Sequence, residues 1–184
     1  MKATGIVRRI DDLGRIVIPI EIRRDMNIRD GDPLEIFVDK NGEVILKKYS
    51  AVAELGDFAH GVVQSLHETT HLVAMMTDRD GVVTVAGGDE RAYRGKPIGP
   101  VVLQAMDGRE TLVFTPERHG HDGSIFGGDG PCPFASEVIA PIVVHGDPLG
   151  TVILASTSKE KPITQLETKL AQTAANFVAR HMEE

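Results

Sequence analysis

The first 49 residues hold more aliphatic side chains than so short a unit can bury by itself. A unit of about 48 residues lies near the lower limit for independent folding. The segment has no cysteine or metal-ligand cluster to cross-link it, which is the usual support of a unit this small. We therefore predict that it buries its apolar face against a second copy, as an obligate dimer with interleaved strands. The aliphatic residues concerned are Ile6, Val7, Ile10, Ile16, Val17, Ile18, Ile22, Leu34, Ile36, Val38, Val44, Ile45 and Leu46.

Strand, turn, helix and hairpin patterns follow one another along this segment. Pro19 lacks an N–H group and suits a helix start, so we predict a short helix over Glu21–Asn27. The pair Asn41-Gly42 is a strong hairpin signal between two alternating runs. The predicted strands are Thr4–Ile10, Arg15–Ile18, Leu34–Val38 and Val44–Lys48.

The charge of the chain divides near residue 50. The net charge of −7 argues, as a whole-chain average, against a nucleic-acid binder. Residues 1–49, however, carry ten basic and nine acidic side chains, whereas the remainder carries ten and eighteen. All seven histidines and the single cysteine lie after residue 50, and one cysteine excludes a disulfide framework. We predict two domains, residues 1–50 and 51–184.

Arginines are concentrated in three elements of the first segment. Arginine presents a rigid fork that suits phosphate oxygens and guanine edges, and a dimer would present each arginine twice. The alternative is that these side chains are solvated surface charges. The arginines are Arg8, Arg9, Arg15, Arg23 and Arg24.

The same segment resembles the AbrB-type transition-state regulators. The resemblance lies in KATGIVRRIDDLGRIVIP from Lys2, EIRR from Glu21, GDPLEIFV from Gly31 and VILKKY from Val44. It implies a swapped-hairpin β-barrel formed by dimerisation, which binds double-stranded DNA through basic side chains. Asp25 departs from the family pattern, because a carboxylate directly after the arginine pair could pair with an arginine. The resemblance implies DNA contacts at Lys2, Arg8, Arg9, Arg15, Arg23 and Arg24.

The second segment reads as an α/β domain with an antiparallel sheet and flanking helices. Apolar residues recur at helical spacing over 52–66 and 163–178, and Thr164-x-x-Glu167 has capping-box spacing. This order, with GDPLG from Gly146 and AANFVAR from Ala174, resembles a GAF-type domain as found in sporulation regulators. The resemblance implies a homotetramer through the first and last helices, whereas packing on the domain's own sheet would also explain their apolar stripes. Further strands are predicted at 72–77, 82–86, 111–114, 138–144 and 151–155, and a helix at 98–106.

Residues 115–133 form a long irregular stretch with five glycines and three prolines. His119, His121 and Cys132 could form a metal site, with Asp122 and Asp129 nearby, but solvated histidines are the simpler interpretation. Cys132 lacks an evident partner for catalysis. We expect no metal, no cofactor and no catalytic residue; a small-molecule effector under this stretch is a hypothesis whose ligand the sequence does not identify. His60 and His67 are interpreted as surface residues of one helix.

These patterns together predict a DNA-binding transcriptional regulator, an activator or repressor of sporulation genes, with a GAF-like domain for oligomerisation and sensing. One alternative is an antitoxin-like module with a fused sensor domain. Another is an enzyme such as a methionine-sulfoxide reductase, which the single cysteine disfavours. The sequence has no bilayer-spanning apolar run and no signal-peptide pattern. We therefore expect a cytoplasmic, nucleoid-associated protein with no membrane partner.

Overall fold

The computed structural model describes residues 5–115, 124–128 and 132–183. The chain divides into two compact units, Met1–Tyr49 and Ser50–Glu184. Within the described ranges, no helix combines the length and the apolar composition that crossing a membrane requires.

The first unit contains one short helix and one hairpin. Helix α1 is Ile20–Asp25, and strands β1 (Leu34–Val38) and β2 (Val44–Lys48) pair antiparallel. The hairpin turn is held by Asp39, whose Oδ1 accepts from the backbone N–H groups of Asn41 at 2.9 Å and Glu43 at 2.8 Å. The predicted hairpin and short helix are therefore confirmed, with α1 ending before Asn27.

The structure describes no strand at residues 5–10 or 15–18, where the sequence predicts strands over Thr4–Ile10 and Arg15–Ile18. Residues 5–18 form no strand ladder with any described residue, and a turn held by backbone hydrogen bonds joins Asp11 to Arg15. A strand needs a neighbour for its N–H and C=O groups, and the described part of the chain pairs no strand with these residues. Val7 is 84% exposed. The other large apolar side chains exposed in this unit are Ile6, Ile10, Leu13, Ile16, Val17, Ile20, Met26, Ile36, Phe37, Val38, Val44 and Tyr49.

The second unit is built on a five-stranded antiparallel sheet. The strand order is β4-β3-β7-β6-β5, and hairpins join β3 to β4 and β6 to β7. The strands are β3 (Val73–Thr77), β4 (Val82–Ala86), β5 (Leu112–Phe114), β6 (Ser136–Val144) and β7 (Asp147–Ser156). The helices are α2 (Ala51–Glu54), α3 (Gly56–Thr70), α4 (Glu90–Tyr93), α5 (Pro100–Gly108) and α6 (Gln165–Met182).

The sheet of the second unit is covered on both faces. Alternate residues of β6 point to opposite sides, so Val138 and Ala140 pack with helices α3 and α6 while Ile139 packs with α5. The second face also carries Phe126, which lies in the 115–133 stretch, and Phe134, which directly follows it. This antiparallel sheet with flanking helices agrees with the predicted architecture.

Candidate functional site

Asp11 holds the turn that positions Arg15. Its Oδ1 accepts from the backbone N–H groups of Leu13 at 3.0 Å and Arg15 at 2.8 Å, and its Oδ2 accepts from Arg15 Nε at 2.8 Å. These contacts, led by the backbone N–H of Arg15 and then its side chain, lower the pKa of Asp11. The side chain of Arg15 remains 69% exposed, so the guanidinium is oriented while its outer nitrogens face solvent.

Helix α1 positions Arg23 and Arg24. Arg23 Nη1 donates to Asp30 Oδ1 at 2.7 Å, and its buried Nε has no hydrogen-bond partner among the described residues. Arg24 is exposed and forms no ion pair within the described ranges. Arg23 thus pairs with Asp30, and not with Asp25, which the sequence suggested as a partner for one of the two arginines.

The remaining predicted contact residues lie at the N-terminus. Arg8 and Arg9 are exposed, and Arg8 Nη1 donates to the neighbouring carbonyl of Val7, at 3.3 Å. Lys2 lies outside the described residues. The first unit therefore offers two kinds of arginine: Arg15 and Arg23 are held by carboxylates, whereas Arg8, Arg9 and Arg24 have no ion pair in the part of the chain described.

An apolar groove separates helices α3 and α6 in the second unit. It encloses about 520 Å³ and is lined by apolar side chains of both helices. The rings of Phe58 and Phe177 lie 5.7 Å apart across it, and Phe177 is 56% exposed. Val63 and Val178, by contrast, are fully buried. Each helix therefore divides its apolar residues between its own sheet and this open groove.

Of the residues predicted as a possible metal or thiol site, Cys132 lies within the described part of the chain. Its thiol is half-buried and donates to Glu137 Oε2 at 3.4 Å. Burial, more than any other cause, raises the pKa of the Cys132 thiol to about 11, so it is protonated and weakly nucleophilic at neutral pH. His119, His121, Asp122 and Asp129 lie outside the described residues, and the described ranges contain no group of side chains that could hold a metal ion.

His60 and His67 make structural contacts. His60 Nδ1 lies 3.1 Å from Thr84 Oγ1, and His67 Nδ1 lies 2.7 Å from the carbonyl oxygen of Leu72. Both contacts fasten α3 to the segments next to it, which adds a structural role to the surface interpretation.

The structure adds one residue that the sequence analysis missed. Glu137 on β6 is 0% exposed, and its Oε1 has no hydrogen-bond partner among the described residues. Desolvation raises the pKa of Glu137 to about 7. The available signal was a single carboxylate at the start of the otherwise apolar run EVIAPIVV.

Two family models match the chain. The model described as stage V sporulation protein T C-terminal, transcription factor, matches residues 54–183. The model described as antidote-toxin recognition MazE, bacterial antitoxin, matches residues 7–53.

Two curated relatives match the chain, one over its full length and one over 49 residues. Stage V sporulation protein T of Bacillus subtilis is 45% identical over 189 aligned residues, which cover all of both chains. The transition state regulatory protein AbrB of the same organism is 61% identical over 49 residues, which cover 27% of this chain and 50% of the relative.

Solved structures share the fold of the second unit. A GAF domain/HD domain protein from Geobacter sulfurreducens matches with a TM-score of 0.53 and 16% identity, over 74% of this chain and 99% of that one. A type II free methionine-R-sulfoxide reductase from Thermoplasma acidophilum matches with a TM-score of 0.55 and 12% identity, over 72% and 95%. At this identity, both likenesses show a GAF-like fold and nothing about chemistry.

Proposed function

The chain belongs to the family of stage V sporulation protein T, and on that premise we propose that it is a DNA-binding transcriptional regulator of sporulation genes. The observation that carries the proposal is the 45% identity to the Bacillus subtilis protein over the full length of both chains. The matched family of the larger unit is described as a transcription factor, and the smaller unit is 61% identical to a transition state regulatory protein.

The DNA contacts in this proposal are made by the basic side chains of the first unit. Arg15 is pre-oriented by Asp11, so it loses less freedom on meeting a phosphate than an unrestrained side chain would. Arg8, Arg9 and Arg24 form no ion pair with a carboxylate among the described residues, so phosphate is their natural partner. Lys2 completes the set by resemblance.

The same proposal makes the DNA-binding species a dimer. Residues 5–18 form no strand ladder with the described residues, and a second copy would supply neighbouring strands. The exposed side chains Val7, Val17 and Val38 would leave water in that dimer, which supplies the driving force for association. An interleaved barrel also doubles the number of arginines that face the DNA.

The second unit, in this proposal, assembles dimers into a tetramer and senses an effector. The apolar groove between α3 and α6 is the assembly surface, because a contiguous exposed apolar patch on a protein marks a site of protein contact. Sensing is assigned to the opposite face of the sheet. We propose no catalytic step, since the Cys132 thiol is protonated at neutral pH.

Genome-wide mapping of bound DNA tests this function. We expect the full-length protein to occupy discrete loci in sporulating cells and to change its occupancy between growth and sporulation, which would also place it on the nucleoid. Binding without preferred loci, or without dependence on growth stage, would contradict the proposal.

An antitoxin is the second candidate function, because the antitoxin family model matches residues 7–53. Such a module would neutralise a toxin encoded beside it. Co-expression of the chain with the product of the neighbouring gene separates the two candidates: rescue of growth from a toxic product supports the antitoxin, and no effect on growth supports the regulator.

A further inference from the structure

Lys48 is a basic side chain of the first unit outside the predicted DNA-contact set. It lies on strand β2, and its side chain is 18% exposed. Lys47, the residue before it, is exposed on the same strand. Adjacent residues of a strand point to opposite sides, so the two lysines differ in what their ammonium groups can meet. Lys48 is directed toward the rest of the unit.

The ammonium group of Lys48 fastens the segment that follows helix α1. Lys48 Nζ lies 2.9 Å from Asp32 Oδ2 and donates to the carbonyl oxygen of Asn27 at 2.8 Å. The same Oδ2 accepts from the backbone N–H of Arg29 at 2.9 Å, and the side chain of Asp32 is 9% exposed. A largely buried ion pair is costly to break from one side, because the remaining charge is left unpaired. One cation of β2 therefore holds both ends of this segment.

The fastened segment also holds the arginine pair of α1. Asn27, just beyond the helix, has a positive φ of 51°, and its N–H donates to the carbonyl oxygen of Arg24 at 3.1 Å. The N–H of Ile28 donates to the carbonyl oxygen of Arg23 at 2.7 Å. Asp30 accepts from the guanidinium of Arg23 at 2.7 Å. The segment thus joins strand β2 on one side to both arginines on the other.

We propose that Lys48 and Asp32 form an ion pair that positions Arg23 and Arg24 for DNA without contacting DNA themselves. The proposal rests on the proposed function and adds two positioning residues to its DNA-binding surface. A direct phosphate contact would need the charge of Lys48, which Asp32 already neutralises. The charge of Asp32 by itself repels DNA. A positioning role and a charge effect therefore predict opposite results when this carboxylate is removed.

Fluorescence anisotropy of the full chain with duplex DNA separates positioning from charge. Asp32→Asn removes a negative charge, so a charge effect would strengthen binding, whereas loss of positioning weakens it. We expect Asp32→Asn and Lys48→Met each to bind DNA about tenfold more weakly, the equivalent of one charge-assisted hydrogen bond. The double variant Asp32→Asn/Lys48→Met keeps the net charge of wild type. It should lose no more affinity than either single variant, because the two residues act as one unit.

The neighbouring cross-strand pair supplies matched controls. Glu35 on β1 lies opposite Lys47 on β2, and both residues are exposed. Glu35→Gln removes a negative charge from the same strand pair without touching the segment after α1. We expect it to bind DNA at least as tightly as wild type, in contrast to Asp32→Asn.

A second measurement reports the surroundings of Arg23 without DNA. Its Nε is buried, so the Nε–H resonance in a heteronuclear NMR spectrum responds to a displacement of the side chain. Asp32→Asn and Lys48→Met should shift this resonance, while the backbone resonances of the β1–β2 hairpin stay in place. Lys47→Met should leave the Arg23 resonance unchanged.

The proposal is overturned if Asp32→Asn binds DNA as tightly as wild type or more tightly, if the double variant regains wild-type affinity, or if the Arg23 resonance does not move. Loss of the hairpin resonances in both single variants would also overturn it, because the pair would then serve the fold and not the position of Arg23. A wild-type chain that binds no DNA contradicts the proposed function instead. A shifted Arg23 resonance in Asp32→Asn would then still support the link from the ion pair to α1.

Discussion

At the scale of single residues, the arginines of the first unit differ in what holds them. Asp11 and Asp30 each engage one guanidinium, at 2.8 and 2.7 Å. Exposed ion pairs of this kind contribute little to stability, so their value lies in orientation. The arginines without a carboxylate partner should contribute the larger share of the phosphate attraction.

Replacing Arg24 should therefore weaken DNA binding on every sequence. A dimer loses two phosphate contacts with Arg24→Ala, so the slope of log K against log salt should become shallower by about 1.8. Fluorescence anisotropy with duplex DNA at several salt concentrations measures both quantities. Arg91→Ala, at an exposed arginine of the second unit, is the matched control and should bind as wild type. An unchanged slope for Arg24→Ala would remove this residue from the interface.

Glu137 makes a separate prediction about stability and pH. Its pKa is raised from 4.5 to about 7 in the folded chain, so the folded state binds more protons than the unfolded state between these values. The free energy of unfolding should fall as pH rises through this window, by on the order of 3 kcal/mol from this group. Glu137→Gln should remove that part of the pH dependence in urea titrations at pH 5 and pH 8, and Glu110→Gln should retain it. Equal pH dependence in wild type and Glu137→Gln would contradict the assignment.

At the scale of elements, local signals located most helices and strands of the second unit but misplaced their ends. The turn expected over His145–Gly150 contains only His145 and Gly146, both at positive φ of 50° and 91°, because the pairing of Val144 with Asp147 extends β7 backwards. Cross-strand pairing, which a local pattern does not contain, sets that boundary. Helix α4 was missed because four residues are too few to show a period.

The candidate site residues also differ in whether a local sequence pattern could predict them. The arginines could be predicted because they belong to short contiguous motifs, and such motifs can be compared with a known family from the sequence alone. Glu137 Oε1 has no partner among the described residues because of how β5, β7 and Cys132 pack around it. A local sequence pattern does not contain that packing. The difference found for the strands predicted within residues 5–18 has the same cause, because in the proposed dimer their partners lie in a second copy and not in the chain itself.

The N-terminus of α6 gives a prediction at this scale. Thr164 caps the helix by accepting from Leu166 N–H at 3.2 Å, and Glu167 accepts in return from the Thr164 N–H at 2.8 Å and from its hydroxyl. Thr164→Ala should lower the free energy of unfolding by about 1 kcal/mol. Thr164→Ser keeps the hydroxyl and should be nearly neutral. Urea unfolding followed by circular dichroism measures the difference, and equal stability of the two variants would show that the cap contributes nothing.

At the scale of the whole molecule, the predicted DNA-contact arginines and the excess of negative charge belong to different units, while both units expose apolar side chains. The first unit is nearly neutral and bears the arginines, whereas residues after 49 carry ten basic and eighteen acidic side chains. The excess of negative charge in the second unit disfavours contact with DNA. In the proposed function its exposed apolar groove contacts another copy instead, so we expect that assembly and DNA binding can be altered separately.

A charge placed in that groove should separate them. Phe177 lies on the groove and Asn176, one residue earlier, lines a different pocket with Arg109 and Pro141. Phe177→Glu should convert tetramers to dimers, because a desolvated carboxylate opposes association, while Asn176→Glu adds the same charge and should remain tetrameric. Sedimentation velocity of the full chain at several concentrations gives the assembly state. In the proposed function the first unit forms its own dimer, so Phe177→Glu should bind a single short duplex with wild-type affinity. A tetrameric Phe177→Glu would exclude the groove as the assembly surface.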